Sequence, residues 1–306
     1  MYRSALAIGL FAACAPAVAQ EGRFELRSEN QISRDDPFAA DEVIDEFGLA
    51  GFDLETGFDT NTWVRRVQPV GGGAVWRFEG QVRARTYFDQ DDIDSLLFTP
   101  RVQYWKRFAG DRFQFRIYGA YSHLSRDGDS RWTRPESEAQ LRWRHDGERR
   151  SETVARLRVT HYDFEESFVA GLDQTRVRVG LEHFLRPDPE INQLRLSVFY
   201  EEGEADDDAN SFTEVRVGAG YDHAIREGLT VSFQADYRDR EYEAPFSSAF
   251  PFQRADERFL AEARVEKKVS EHVTAFAGAG YLENSSNIAT RDYGGATFRV
   301  GLRAEF

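Results

Sequence analysis

The chain has 306 residues, 39 basic and 53 acidic, for a formal net charge of −14, a balance that fits no nucleic-acid partner. No stretch reaches the roughly 20 apolar residues that a membrane helix needs, so a helical membrane protein is excluded. The chain is nonetheless rich in aromatics, with 25 Phe, 12 Tyr and 5 Trp.

At the start, Arg3 precedes an apolar run over 5–13, then Pro16 and the small-residue triplet Ala17-Val18-Ala19. This predicts a secretory signal peptide over 1–19, cut after Ala19. A rival lipidation site at Cys14 has Phe11 three places before it, a poor residue for that position. Cys14 is the one cysteine, so the mature chain has neither a disulfide nor a thiolate metal site.

Residues 20–73 admit two readings. In one, 37–48 is a short acidic helix with Phe38, Val43, Ile44 and Phe47 on one side, plugging a barrel or sitting beneath it. In the other, 51–58 and 62–68 are two strands, followed by a turn over 69–73.

From 74 to 306 the pattern is period two. Trp76, Phe78, Val82, Ala84 and Phe88 alternate with Arg77, Glu79, Gln81, Arg83 and Arg85. Near the end Phe298, Val300, Leu302, Ala304 and Phe306 alternate with Thr297, Arg299, Gly301, Arg303 and Glu305. Strict alternation is the mark of strands with one apolar face. Further strands are predicted over 96–108, 113–124, 137–145, 153–164, 174–185, 193–201, 212–221, 229–240, 256–269 and 273–283. The total is twelve, or fourteen if the second reading of 20–73 holds; bacterial barrels have even counts.

Links between these strands alternate in length. Those at 109–112, 146–150, 186–192, 223–228 and 267–272 are short and several carry Gly, Asp, Asn or Pro. Those at 89–95, 125–136, 165–173, 202–211, 241–255 and 284–291 are longer. Short periplasmic turns and long outer loops are the habit of outer-membrane barrels. The chain therefore resembles the Gram-negative outer-membrane β-barrel proteins, all-β and porin-like: one antiparallel up-and-down barrel in the cell outer membrane. That resemblance implies outer-membrane lipid and lipopolysaccharide around the wall. It also makes the aromatic C-terminus, Phe306, the insertion signal read by the barrel assembly machinery.

A narrower likeness rests on Gly57-Phe58-Asp59-Thr60-Asn61, Ser286-Asn287-Ile288, Tyr293 and the closing Arg299-Val300-Gly301-Leu302 run to Phe306. These residues resemble the barrel region of surface lipoprotein assembly modifiers and related porins. The resemblance implies, as an alternative function, an assembly or export barrel acting on a lipoprotein partner. Such proteins usually carry helical repeats before the barrel, whereas about 54 residues precede it here and hold no repeat of that length.

Parity then sorts the charges. Arg77, Arg83, Arg85, Arg101, Arg116, Arg142, Arg144, Arg156, Arg158, Arg176, Arg178, Arg195, Arg216, Arg238, Arg264, Arg299 and Arg303 all fall opposite the lipid-facing residues. The inward acids are read as fewer: Glu79, Glu182, Glu201, Glu214, Asp236, Glu262, Glu266 and Glu305. Guanidinium rows in a narrow lumen focus a field for anions and can grip carboxylate or phosphate bidentately. This predicts a passive pore for small anionic solutes. The competing reading is that these arginines pair with acids on neighbouring strands and simply fill the interior.

Loop acids such as Asp91-Asp92 and Asp206-Asp207-Asp208 are solvated residues or ligands for cations bridging lipopolysaccharide phosphates. A rim-located lipid hydrolase would need a histidine beside a serine, as with His123 and Ser122 or Ser125, or His161 and Asp163 or Ser167. Six histidines are unremarkable for this length, and no phosphate loop, zinc spacing or dinucleotide fingerprint occurs. No enzyme, cofactor or resident metal is expected. Interfacial belts are predicted at Trp76, Phe113, Trp143, Tyr237 and Phe306 on one rim and Phe88, Tyr121, Tyr200 and Tyr281 on the other; Trp105 points inward.

Overall fold

A computed structural model describes residues 22–35, 54–89, 94–165, 171–248 and 250–306. The predicted leader over 1–19 and helix over 37–48 lie outside the described residues. Fourteen strands follow in chain order: β1 (Arg23–Asp35), β2 (Glu55–Gly71), β3 (Ala74–Tyr87), β4 (Ser95–Phe108), β5 (Phe113–Arg126), β6 (Asp129–Arg144) and β7 (Ser151–Phe164), then β8 (Gln174–Leu185), β9 (Asn192–Ala205), β10 (Phe212–Arg226), β11 (Leu229–Ser247), β12 (Phe250–Lys268), β13 (Val273–Ser286) and β14 (Tyr293–Glu305). Each pairs antiparallel with its neighbours in sequence, and β1 pairs with β14 to close one barrel. Closure is completed where Phe306 and Leu26 exchange backbone hydrogen bonds at 2.9 and 3.0 Å.

The count is fourteen, not twelve, and the added pair is not the two segments foreseen. Residues 55–58 and 62–68 belong to a single strand, β2, whereas β1 occupies residues for which the alternation predicts no strand. The reason is visible on the lipid face. Ser28 and Asn30 on β1, with Thr60 and Thr62 on β2, interrupt its apolar row between Leu26 and Ile32. Their side chains satisfy one another instead, through Thr60 to Asn30 (3.0 Å), Asn30 to Ser28 (3.2 Å) and Ser28 with Thr62 (3.1 Å). Polar groups facing hydrocarbon persist only when hydrogen-bonded.

Two of the predicted long outer loops are shorter than expected because the strands run on. β5 and β6 meet in a two-residue turn at Asp127 (φ 49°) and Gly128 (φ 86°), the positive-φ pair that suits the twist of a hairpin. β11 and β12 likewise extend to Ser247 and Phe250.

Outside, Phe78, Leu141, Val217 and Val300 are all exposed, as a lipid-facing wall requires. A belt of rings runs along the periplasmic rim of β3 to β6: Trp76 and Tyr104 centroids lie 5.0 Å apart, Phe108 and Phe113 5.5 Å, and Phe113 and Trp143 6.2 Å. Tyr237 belongs to the opposite rim from the one predicted. It lies eight residues above the periplasmic start of β11, as Tyr281 does on β13.

Candidate functional site

The candidate site is the inner wall, because period two sends every second side chain of each strand there. At its outer end, Tyr87, Leu124, Trp132, Tyr162, Phe164 and Leu172 form one buried cluster against β3, β5, β6 and β7. Below it the wall is ionic. Pairs of arginines two residues apart recur there, each closing on one carboxylate of a neighbouring strand. Arg83 and Arg85 hold Asp59 at 2.5 and 3.5 Å. Arg142 and Arg144 hold Glu152 at 3.1 and 3.0 Å. Arg156 and Arg158 hold Glu138 at 3.5 and 2.9 Å, and Arg176 and Arg178 hold Glu201.

Single pairs account for others. Arg101 reaches Glu79 at 3.6 Å, Arg299 reaches Glu262 at 2.7 Å and Arg303 reaches Glu266 at 2.5 Å. Arg216 and Arg238 share Asp236, and Arg264 lies 3.0 Å from Glu266. The expected shortage of inward acid is thus overstated. Glu25, Glu29, Asp35, Asp59, Glu136, Glu138 and Glu152 also face inward and carry ion pairs. Four of them lie on β1 and β2, outside the predicted strands. Glu136 and Glu152 lie just beyond the predicted ends of β6 and β7. Glu138 is readable from its spacing of four residues to Arg142 on the same face.

Three inward arginines differ: Arg77, Arg116 and Arg195 have no carboxylate within 4.0 Å among the described residues. Arg77 and Arg116 stand on a wall whose central strands, β4 and β5, contain no aspartate or glutamate at all. Arg77 stacks over Trp105 at 4.7 Å, and Arg101 and Arg116 stack over Tyr118 at 4.7 and 6.0 Å. Trp105 therefore points inward, as expected. On the opposite side, a wall cavity of about 300 Å³ is lined by Arg195, Asp222, Glu262, Arg264, Glu266 and Arg299, with both signs of charge represented.

Among the described residues no histidine side chain hydrogen-bonds a serine. Ser122 faces inward and bonds Thr99 at 2.9 Å, whereas its chain neighbour His123 faces outward. His161 bonds Thr175 at 3.0 Å on the outer face, and Ser167 lies outside the described residues. His145 and His183 are joined through Thr153 at 2.8 and 2.9 Å, and His145 packs on Trp143 at 4.1 Å. His272 stacks on Phe306 at 5.2 Å. Asp207 caps the short 3-10 turn Asp208–Asn210 by accepting from the Ala209 amide.

A family described as Putative beta-barrel porin 2 matches residues 201–306, the last five strands and the end of β9. No curated protein matches the chain. Among solved structures, the barrel is similar to an anion-selective porin from Comamonas acidovorans (TM-score 0.53, 10% identity, 94% of this chain and 99% of that one). It is also similar to the outer membrane channel DcaP of Acinetobacter baumannii (TM-score 0.55, 10% identity, 94% and 97%). A third similar structure is outer-membrane expressed OmpT of Vibrio cholerae (TM-score 0.55, 9% identity, 94% and 99%). The chain is an outer-membrane β-barrel.

Proposed function

We propose that this outer-membrane barrel is a passive pore that favours small anionic solutes. The observation that carries the reading is the uneven wall: β4 and β5 have no acid on either strand, Arg101 shares Glu79 of β3, and Arg116 and Arg77 have no carboxylate within 4.0 Å among the described residues. In a confined, low-dielectric passage such a surface raises the local concentration of anions and repels cations. Charges already closed into clamps contribute little to that field, because each guanidinium is matched at close range by a carboxylate. The match to a porin family over the last third of the chain and the likeness to channel structures support the same reading.

The test is electrical. The refolded chain is placed in a planar bilayer under a salt gradient, and the sign of the reversal potential is read. Discrete steps with anion preference are expected. A folded barrel that never conducts, or one that prefers cations, would overturn the proposal.

A further inference from the structure

One place on the wall has guanidiniums on two different strands, rather than a pair on one strand, flanking an uncharged residue. In the four complete clamps, two guanidiniums of one strand converge on one Asp or Glu that stands across the ladder from them, joined at Glu152 by Arg186 at 3.1 Å. On the β3 to β5 wall the residue across from Arg77 is Gln103, and Gln103 in turn stands across from Tyr118, one inward place from Arg116. Gln103 is only 3% exposed, yet its side-chain Oε1 has no hydrogen-bond partner. The nearest acid on β3, Glu79, is held by Arg65 at 2.6 Å and shared with Arg101 at 3.6 Å, which leaves none for Arg77. The two guanidiniums are nevertheless fixed. Arg77 lies on the Trp105 ring and Arg116 on the Tyr118 ring, whose hydroxyl donates to Glu136 at 2.6 Å.

The geometry points to a solute-binding station here: Arg77 and Arg116, either side of Gln103, take an oxyanion of the carboxylate class, which supplies from solution the charge that Asp59, Glu138, Glu152 and Glu201 supply elsewhere. Two planar fork donors match the two oxygens of a carboxylate, and a phosphate presents the same edge. The aromatic undersides hold the guanidiniums in place, so less side-chain freedom is lost when the anion arrives. The station rests on the reading of the lumen as a path for anions, but it can be tested apart from conduction.

The probe is 4-fluorobenzoate, followed by fluorine NMR on the full chain folded in detergent, with inorganic phosphate as competitor. Saturable binding that phosphate displaces is expected. Gln103→Glu, which is isosteric and supplies the carboxylate internally, should weaken that binding about tenfold or more, as should Arg77→Gln with Arg116→Gln. Arg150→Gln, in the exposed turn after β6, should leave it unchanged. Heat-modified gel mobility verifies that each variant is folded. Binding that survives Gln103→Glu in a folded barrel, or that is lost with Arg150→Gln instead, would overturn the station. Failure of the two readings is distinguishable. A silent barrel that binds the probe in a Gln103-dependent way loses the pore and keeps the station, whereas an anion-selective channel with no such binding keeps the pore and loses the station.

Discussion

The wall made by β6 to β8 and the wall made by β3 to β5 are both rich in arginine and opposite in organisation. On β6 to β8, Arg142 with Arg144, Arg156 with Arg158 and Arg176 with Arg178 each close on a glutamate that is 3% exposed or less. On β3 to β5, the central strands lack acid, and the buried residue between Arg77 and Arg116 is an uncharged amide. Both walls bear the desolvation cost of inward guanidiniums; the chain offsets it for the three pairs on β6 to β8 and for Arg83, Arg85 and Arg101 on β3 and β4, but not for Arg77 and Arg116. An arginine in the lumen is therefore not by itself a functional residue; its counter-charge decides whether it is structural or available to a solute.

The comparison can be broken most severely at the closed wall. Glu138→Gln removes the carboxylate that Arg156 and Arg158 share, leaving Glu182 to Arg156 and Glu136, at 3.8 Å, to Arg158, and should cost about 2 kcal/mol, read as a lowered urea midpoint of the detergent-folded barrel. A midpoint unchanged from the parent would mean that these clamps are not structural. Next in size is the effect on selectivity at the open wall. Arg77→Gln with Arg116→Gln should move the reversal potential well towards zero while leaving the unfolding midpoint within about 0.5 kcal/mol of the parent, as for substitutions away from buried networks. Arg176→Gln with Arg178→Gln should do the reverse and destabilise more than it alters selectivity.

Gln103→Glu sharpens the contrast from the other side. A carboxylate there adds charge-assisted hydrogen bonds, for which about 1 kcal/mol of stabilisation is expected, together with reduced anion preference. If the Gln103→Glu barrel proves less stable than the parent, the position does not suit a carboxylate. The smallest effect is expected on the lipid face. Asn30→Ala removes one member of the Ser28, Thr60 and Thr62 network and should cost about 0.6 kcal/mol with no change in reversal potential. A shifted potential there would mean that the outer polar row communicates with the lumen.

Much of this was legible from alternation. Strands β3 to β14 follow from period two, and β8 agrees with its predicted limits at both ends. β1 was not legible, because Ser28 and Asn30 sit where apolar residues should be, and their stability depends on partners 30 or more residues away on β2. The tight β5 to β6 turn had a local signal in Asp127-Gly128, but the residues beyond it alternate without an apolar outer row. In that hairpin the large side chains Leu124 and Trp132 turn inward to join the buried cluster.

The sequence by itself determined the architecture class, the direction of each strand from β3 onward and the parity that sends the arginines inward, since these depend on period two and turn chemistry along the chain. Only the tertiary structure decided which arginines are matched. Cross-strand register sets whether a guanidinium meets Glu138, Glu152 or Gln103, and register is a relation between strands that no single strand's alternation contains.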